Sequence, residues 1–422
     1  MPQNLRKRAW IIAVMVIIGL TLIGVTAYQI PSVKSRLAWR FDIALTYLRG
    51  VIDPVKPFPT PDEALTQPTQ VATSTPTSLP SLISNQPTAT PAPTATPAPS
   101  PTPIPAIVQL PAPLWEQQGA NNCGPATLAL YLRYYGWGGN QDDIAQLVKP
   151  IPEDRNVNPE ELVYYVRTHA GWLGAEFRVG GDLQLLKQLI AAGFPVMIEE
   201  SFFFDTPYWP NDDLWAAHYL LVTGYDETAQ TFTGQDSFHG PNQVISSSML
   251  DSYWQIFNRV YLLVYPTANE VVLKQILGDN WDPDLNRQHA LEVAKAETES
   301  SPNNAYTWFN LGSNLVYFGR YGEAASAYDT ARNLGLYQRM LRYQFGPFFA
   351  YFHAGMTTEL LAVTEYALER TPNSEEALLW HGWAKYRLGK KAEAIADWQE
   401  ALKNHPGYED AQYALDFTAT NP

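Results

Sequence analysis

Between about residues 51 and 112 the chain loses the means to bury a core. Pro, Thr, Ala and Ser dominate there, most densely in PTATPAPTATPAPSPTPIPA. A segment of that composition extends as polyproline II at ~3.1 Å per residue. The 34 Pro of the 422-residue chain are far from evenly spread, and their concentration here divides the sequence. The expected organisation is an apolar N-terminal piece, a disordered linker over 51–112 acting as a spacer, and globular sequence behind it. A hydrophobic content of 46% is ample for the globular cores.

Residues 9–30 (AWIIAVMVIIGLTLIGVTAYQI) carry no charge. At ~1.5 Å per residue such a run is long enough to cross a ~30 Å hydrocarbon core. Arg6, Lys7 and Arg8 precede it, which suits an N-terminus held in the cytoplasm. The segment 1–50 therefore reads as a transmembrane anchor with a short amphipathic juxtamembrane helix. This predicts a single-pass protein of the cell membrane with the rest outside the cytoplasm. A cleaved signal peptide is the alternative, with Val25-Thr26-Ala27 as a cleavage site and a secreted product. The run is longer than the ~7–15 residues of an ordinary signal-peptide core. Formal net charge is −14, so there is no electrostatic footprint for nucleic acid.

Residues 113–267 read as one α+β domain. Asn140 leads into a helix over 141–149. Asn158-Pro159-Glu160-Glu161 opens one that runs to His169, and Asp182 caps one over 183–192 that Gly193 ends. Strands rich in Val, Ile, Tyr and Leu are expected over 195–200, 218–225, 231–235 and 259–265. From 284 to 418 the pattern is helical and repetitive. Trp308, Leu311, Gly312, Gly319, Ala324, Tyr328 and Ala331 echo Leu378, Gly382, Gly389, Ala394, Trp398 and Ala401. Pro302, Pro372 and Pro406 fit a period of ~34 residues, that of the tetratricopeptide repeat. The region resembles about three such units, the middle one degenerate around Gly355, Ala367 and Pro372, with a helix over 289–300 ahead of them.

The chain has one cysteine, Cys123, in Gln117-Gln118-Gly119-Ala120-Asn121-Asn122-Cys123-Gly124-Pro125-Ala126. A lone Cys forms no internal disulfide, and scattered His residues give no metal-ligand spacing. No cofactor or metal is implied. Apolar residues recur at helical spacing from Ala126 to Tyr135, so Cys123 falls at a helix N-terminus, where partial positive charge favours a thiolate. A thiolate nucleophile needs a base, an orienting acid and oxyanion donors. Of seven His, His218 opens a strand, whereas His169, His289, His353, His381 and His405 lie in helical sequence as structural side chains. A hairpin between 218–225 and 231–235 returns Asp236 toward His218 and leaves Asp226 at the far end. His239 is a rival base in a turn.

The segment 117–126, the strand beginning His218-Tyr219 and Gln235-Asp236-Ser237-Phe238-His239-Gly240 together resemble the papain-like, bacteriocin-processing (double-glycine) cysteine peptidases, in their stand-alone branch. The resemblance covers about residues 112–266. It implies Cys123 as nucleophile, His218 as general base and then acid, Asp236 as its orienter, and Gln117 as the oxyanion-hole glutamine, with Gln118 as the adjacent ambiguity. The family has Pro after the acid, where Ser237 stands here.

The resulting expectation is a membrane-anchored, extracytoplasmic cysteine peptidase that hydrolyses a peptide or protein substrate. Its repeats would dock a protein partner. A scaffold with a silent papain-like domain is one alternative, and an acyl transferase using the same thioester chemistry is another. The aromatic and acidic insert Ser201–Trp215 between two strands suits either a lid over the cleft or a packed surface loop.

Overall fold

The computed structural model describes residues 47–54, 56–61, 104–149, 156–207 and 210–420, with positions 12, 14–16, 18–22, 24, 26, 28, 44 and 45. The expected span 9–30 falls partly outside these residues, and its described positions are helical. Among the described residues no helix is long and apolar enough to cross a membrane. Most of the expected linker, 62–103, also lies outside them.

The α+β domain begins earlier than its composition suggests. Strand β1 (Ile107–Gln109) sits inside the Pro-rich stretch and pairs with the far end of β4 (Trp215–Asp226), Ile107 opposite Asp226. It takes up the pairing where β3 (Val196–Phe203) stops, opposite Val222. The remaining strands are β2 (Leu173–Arg178), β5 (Thr231–Asp236), β6 (Gly240–Ser246) and β7 (Tyr261–Pro266), in the spatial order β2-β7-β3-β4-β5-β6. All of these pairings are antiparallel. Strands β1, β2 and β6 escape a reading by apolar run. The first is short, the second mixes buried with partly exposed positions, and the third is exposed or partly exposed beyond Gly240.

Helices α1 (Cys123–Tyr134), α2 (Gln141–Val148) and α3 (Pro159–His169) cover one face of the sheet, with Leu128, Tyr131, Leu162, Val166, Met197 and Leu221 in one core. The Tyr131 hydroxyl donates to the carbonyl of Pro195 and accepts from the backbone N–H of Val264 at 3.0 Å, fixing α1 to β3 and β7. The other face packs α4 (Leu183–Ala191), α5 (Ser247–Gln255) and α6 (Glu270–Leu277), whose Leu273 and Leu277 are buried. The caps follow the sequence: Asp182 accepts from Leu185 N–H at 2.7 Å, and Glu161 accepts from Asn158 N–H at 2.6 Å.

The C-terminal region is a run of helices: α7 (Pro283–Ser300), α8 (Ala305–Tyr317), α9 (Tyr321–Leu334), α10 (Gly346–His353), α11 (Thr357–Arg370), α12 (Glu375–Arg387), α13 (Lys391–Asn404) and α14 (Glu409–Thr420). Gly312 and Gly382 lie where helices cross. A Cβ there would stand 2.7 Å from the Tyr328 ring and 2.4 Å from the Trp398 indole nitrogen. The degenerate middle unit is α10 with α11; α10 is shorter than α8 or α12, and an irregular stretch precedes it.

The two regions form one body. Arg339, its guanidinium almost wholly buried, donates to both carboxylate oxygens of Asp212 at 2.6 Å and to Asp213 at 3.3 Å. Tyr337 stacks on Trp215 with ring centroids 4.8 Å apart, and Phe257 lies parallel to Trp215 at 5.8 Å. Arg259 bridges Asp251 and Glu297 at 2.7 and 2.6 Å. The acidic end of the insert, Asp212 and Asp213, is thus tied to the repeats.

Residues 56–61, also within the expected linker, are packed on the repeats. Phe58 is buried against Tyr366, and Arg332 donates to the Pro59 carbonyl at 2.9 Å. Arg370 donates to the Lys56 carbonyl at 3.0 Å, and Lys56 pairs with Glu369 at 2.8 Å.

Candidate active site

Helix α1 starts at Cys123 itself, so the residue stands at the helix end where the first backbone N–H groups have no acceptor within the helix. The approach to it is shaped by Asn121, whose backbone is left-handed (φ 51°), a conformation Asn tolerates. The Asn121 carbonyl accepts from the Lys149 ammonium at 2.7 Å, placing a cation near the thiol. Thr127 donates to the carbonyl of Tyr219 at 3.0 Å, which holds the helix start against β4 next to His218.

The expected residues come together. The Cys123 thiol and the His218 ring are close enough that each shifts the other's proton affinity. His218 Nε2 lies 2.9 Å from Asp236 Oδ1, which leaves Nδ1 for the sulfur. Leu220 pairs directly with Asp236 across the β4–β5 hairpin, so the acid returns beside the strand segment that carries the imidazole. His218 and Asp236 are 3% and 6% exposed, so solvent screens this chain little. Asp226 lies at the other end of β4, hydrogen-bonded to the turn at Thr228 and Ala229.

The electrostatics follow from those contacts. Burial works against the Cys123 thiolate. The His218 hydrogen bond and charge, the Lys149 charge and the Tyr219 backbone N–H outweigh it and lower the thiol below its ordinary value. Burial likewise opposes the His218 cation, yet Asp236 and Cys123 raise it to about 10. Burial would raise Asp236, but His218, His239 and the Phe238 N–H hold it well below the carboxylate range. The favoured state is a thiolate–imidazolium pair backed by a carboxylate.

Asp236 serves two imidazoles. Its Oδ2 lies 2.8 Å from His239 Nδ1, so the rival His239 stands beside the same acid. His239 is half exposed, and Phe202 contacts both rings at 5.1 Å. Gln117 is exposed, and its side-chain amide donates to the Phe238 carbonyl at 2.9 Å, leaving a second N–H. Gln118 differs: its backbone N–H donates to the Ser237 carbonyl, and its Oε1 accepts from Ser237 Oγ at 2.8 Å. A proline at 237 would have no such hydroxyl, so the departure from the family pattern has a local use.

Several residues around the site gave little sign of themselves. Gln141, read only as the start of a helix, accepts from Gly119 N–H and the Asn122 amide at 2.7 Å each and donates to the Gln117 carbonyl at 2.8 Å. It holds the loop from Gln117 to Cys123 in shape. Trp115 donates to the Asp236 carbonyl at 2.8 Å. Two buried acids in the largely apolar β3 were the one legible signal. Glu200 pairs across the strands with His218, and burial, partly offset by the His218 charge, pushes its carboxyl up to about 8. Its Oε2 is buried without a hydrogen bond among the described residues. Among the described residues no cluster of His, Cys, Asp and Glu could hold a metal.

Residues 102–262 match the Peptidase_C39 like family, and residues 376–408 match the tetratricopeptide repeat. The chain is therefore a C39-peptidase-like domain joined to tetratricopeptide repeats, in agreement with the resemblance drawn from the sequence. Among solved structures, one described as a C39-like peptidase from Bacillus anthracis is 16% identical, covering 37% of this chain and 96% of its own, with a TM-score of 0.30. A double glycine motif protease from an AMS/PCAT transporter, in complex with the leader peptide, is 19% identical over 38% of this chain and 95% of its own, with a TM-score of 0.28. YrrB, a TPR protein with an unusual peptide-binding site, is 17% identical over 36% of this chain and 91% of its own, with a TM-score of 0.19. No curated protein matches the chain.

Proposed function

We propose that the chain is a cysteine peptidase anchored in the membrane by residues 9–30, with its catalytic and repeat regions outside the cytoplasm. The observation that carries the catalytic part is the convergence of Cys123, His218 and Asp236: thiol and imidazole shift each other's proton affinity, and His218 lies 2.9 Å from Asp236. The Cys123 thiolate attacks the carbonyl carbon of a peptide bond. The oxyanion that forms is met by the Cys123 backbone N–H and the free N–H of the Gln117 amide. The imidazolium of His218 then protonates the leaving amine, and the thioester remains on sulfur. His218, now neutral, takes a proton from water, whose attack releases the acid and regenerates the thiolate. Asp236 holds the ring in place and stabilises its cationic form. The anchor is supported by the uncharged run 9–30 and the basic residues ahead of it. A docking role for the repeats is supported by the family match at 376–408.

The test is cleavage of a peptide library by the wild-type chain, Cys123→Ala and His218→Ala. Each substitution is expected to lower the rate by about 10³-fold or more with the circular dichroism spectrum unchanged. Undiminished cleavage by Cys123→Ala would refute the assignment. An added amine appearing in the product would mark acyl transfer in place of hydrolysis.

A further inference from the structure

Between the catalytic sheet and the repeats lies a cavity of about 530 Å³, within the range that takes a ligand of several side chains. Its walls are acidic from both sides. Glu160, Glu161 and Glu199 face it from the peptidase-like domain, and Glu375, Glu376 and Asp410 from the repeats. Among the described residues its basic side chains are Arg287 and His405, and both already have partners. His405 pairs with Glu375 at 2.8 Å, and the Arg287 guanidinium lies 5.0 Å from the Tyr317 ring centre. Phe257, Phe349, Trp380 and Tyr408 supply apolar and aromatic surface, which also attracts cations.

Glu199 separates this cavity from an ordinary acidic surface. It is 3% exposed and has no hydrogen bond or ion pair among the described residues. A carboxylate buried without a partner is costly, and a cation brought to it would remove that cost. It is also close to the chemistry. It pairs across the strands with Tyr219, its neighbour Glu200 pairs with His218, and the charge on Cys123 adds to burial in raising its carboxyl well above the ordinary range.

We propose that this cavity receives a basic segment of the polypeptide substrate, a lysine or arginine flanked by apolar residues, and that Glu199 is the carboxylate its cation meets. The proposal rests on the peptidase reading, because it names the substrate class of that site. The apolar flanks lie on the aromatic walls and the cation reaches the buried carboxyl, which gives up its proton on binding.

The experiment measures binding of a labelled leucine–lysine peptide to the full-length Cys123→Ala chain by fluorescence anisotropy, with a leucine–glutamate peptide and spermidine as controls. The lysine peptide is expected to bind and the glutamate peptide to fail. Glu199→Gln should weaken binding about tenfold, the scale of one charge-assisted contact. Calorimetry in two buffers should show a proton released by the parent chain and none by Glu199→Gln. If Glu199→Gln does not fold, Glu160→Lys with Asp410→Lys, both exposed, should weaken binding at least as much. Equal binding of the glutamate peptide, no effect of the exposed pair, or spermidine binding as tightly as the peptide would overturn the proposal. Binding is read on a chain without the thiol. Its failure therefore leaves cleavage by the wild-type chain untouched, and absent cleavage leaves the binding result standing.

Discussion

At the scale of single residues, the site works through a balance of proton affinities that the contacts around His218 set. The thiolate–imidazolium pair exists at pH values above the lowered thiol value and below about 10, where His218 loses its proton. The two limbs belong to the coupled pair. Asp236→Asn removes the charge that holds the imidazole up. The alkaline limb of the pH–rate profile should then move down toward the ordinary histidine range, and the acid limb should move up because the weaker cation stabilises the thiolate less. The plateau narrows from both sides. Because Cys123 is the lone cysteine, iodoacetamide alkylation against pH reads the acid limb directly. A plateau unchanged in Asp236→Asn would show that the carboxylate does not tune the ring. Cys123 and Asp236 were legible because each carries a local signal, a helix start and a hairpin return; His218 was read as a strand start, whereas β4 begins at Trp215 and carries the imidazole three residues further in. Gln141 and Lys149 were not legible, because their effect arises only when distant loops meet.

At the scale of elements, the sequence was most informative where a segment is decided by its own residues. Capped helices and buried apolar strands fell within a few positions of their expected bounds. Strands β1, β2 and β6 and helices α5 and α6 were missed, because their place depends on pairing with neighbours or on two-sided packing that periodicity does not record. The repeats were read from spaced small residues, and the structure supplies the reason. Gly382 lets α12 approach the Trp398 ring of α13 more closely than any side chain permits. Gly382→Ala should therefore destabilise the chain by about 1–3 kcal/mol, the usual range for overpacking a core. Urea denaturation would measure it as a lower midpoint with unchanged slope. Gly389→Ala, at a position of positive φ (77°) with open space around it, tests the backbone alone.

At the scale of the whole molecule, the peptidase-like domain and the repeats share buried polar contacts and an aromatic stack. Arg339 is the chief of these, since Asp212, whose side chain is buried, depends on it. Removing one partner of a buried ion pair typically costs about 3–5 kcal/mol. Calorimetry of the wild-type chain should show one cooperative transition for both regions, and Arg339→Ala should split it or lower the first transition. A single unshifted transition in the variant would mean that the regions are joined by other contacts alone.

The strip at 56–61 changes what the proline tract can do. Residues 56–61 rest on the repeats, and residue 104 leads into the strand at 107–109, so the described residues on either side of the tract belong to one packed body. The separation of those two ends is set by the packed body. The reach between the helical stretch near residue 50 and the catalytic machinery is then governed by the few residues on either side of Pro54. Lengthening or trimming the tract should leave that reach as it was.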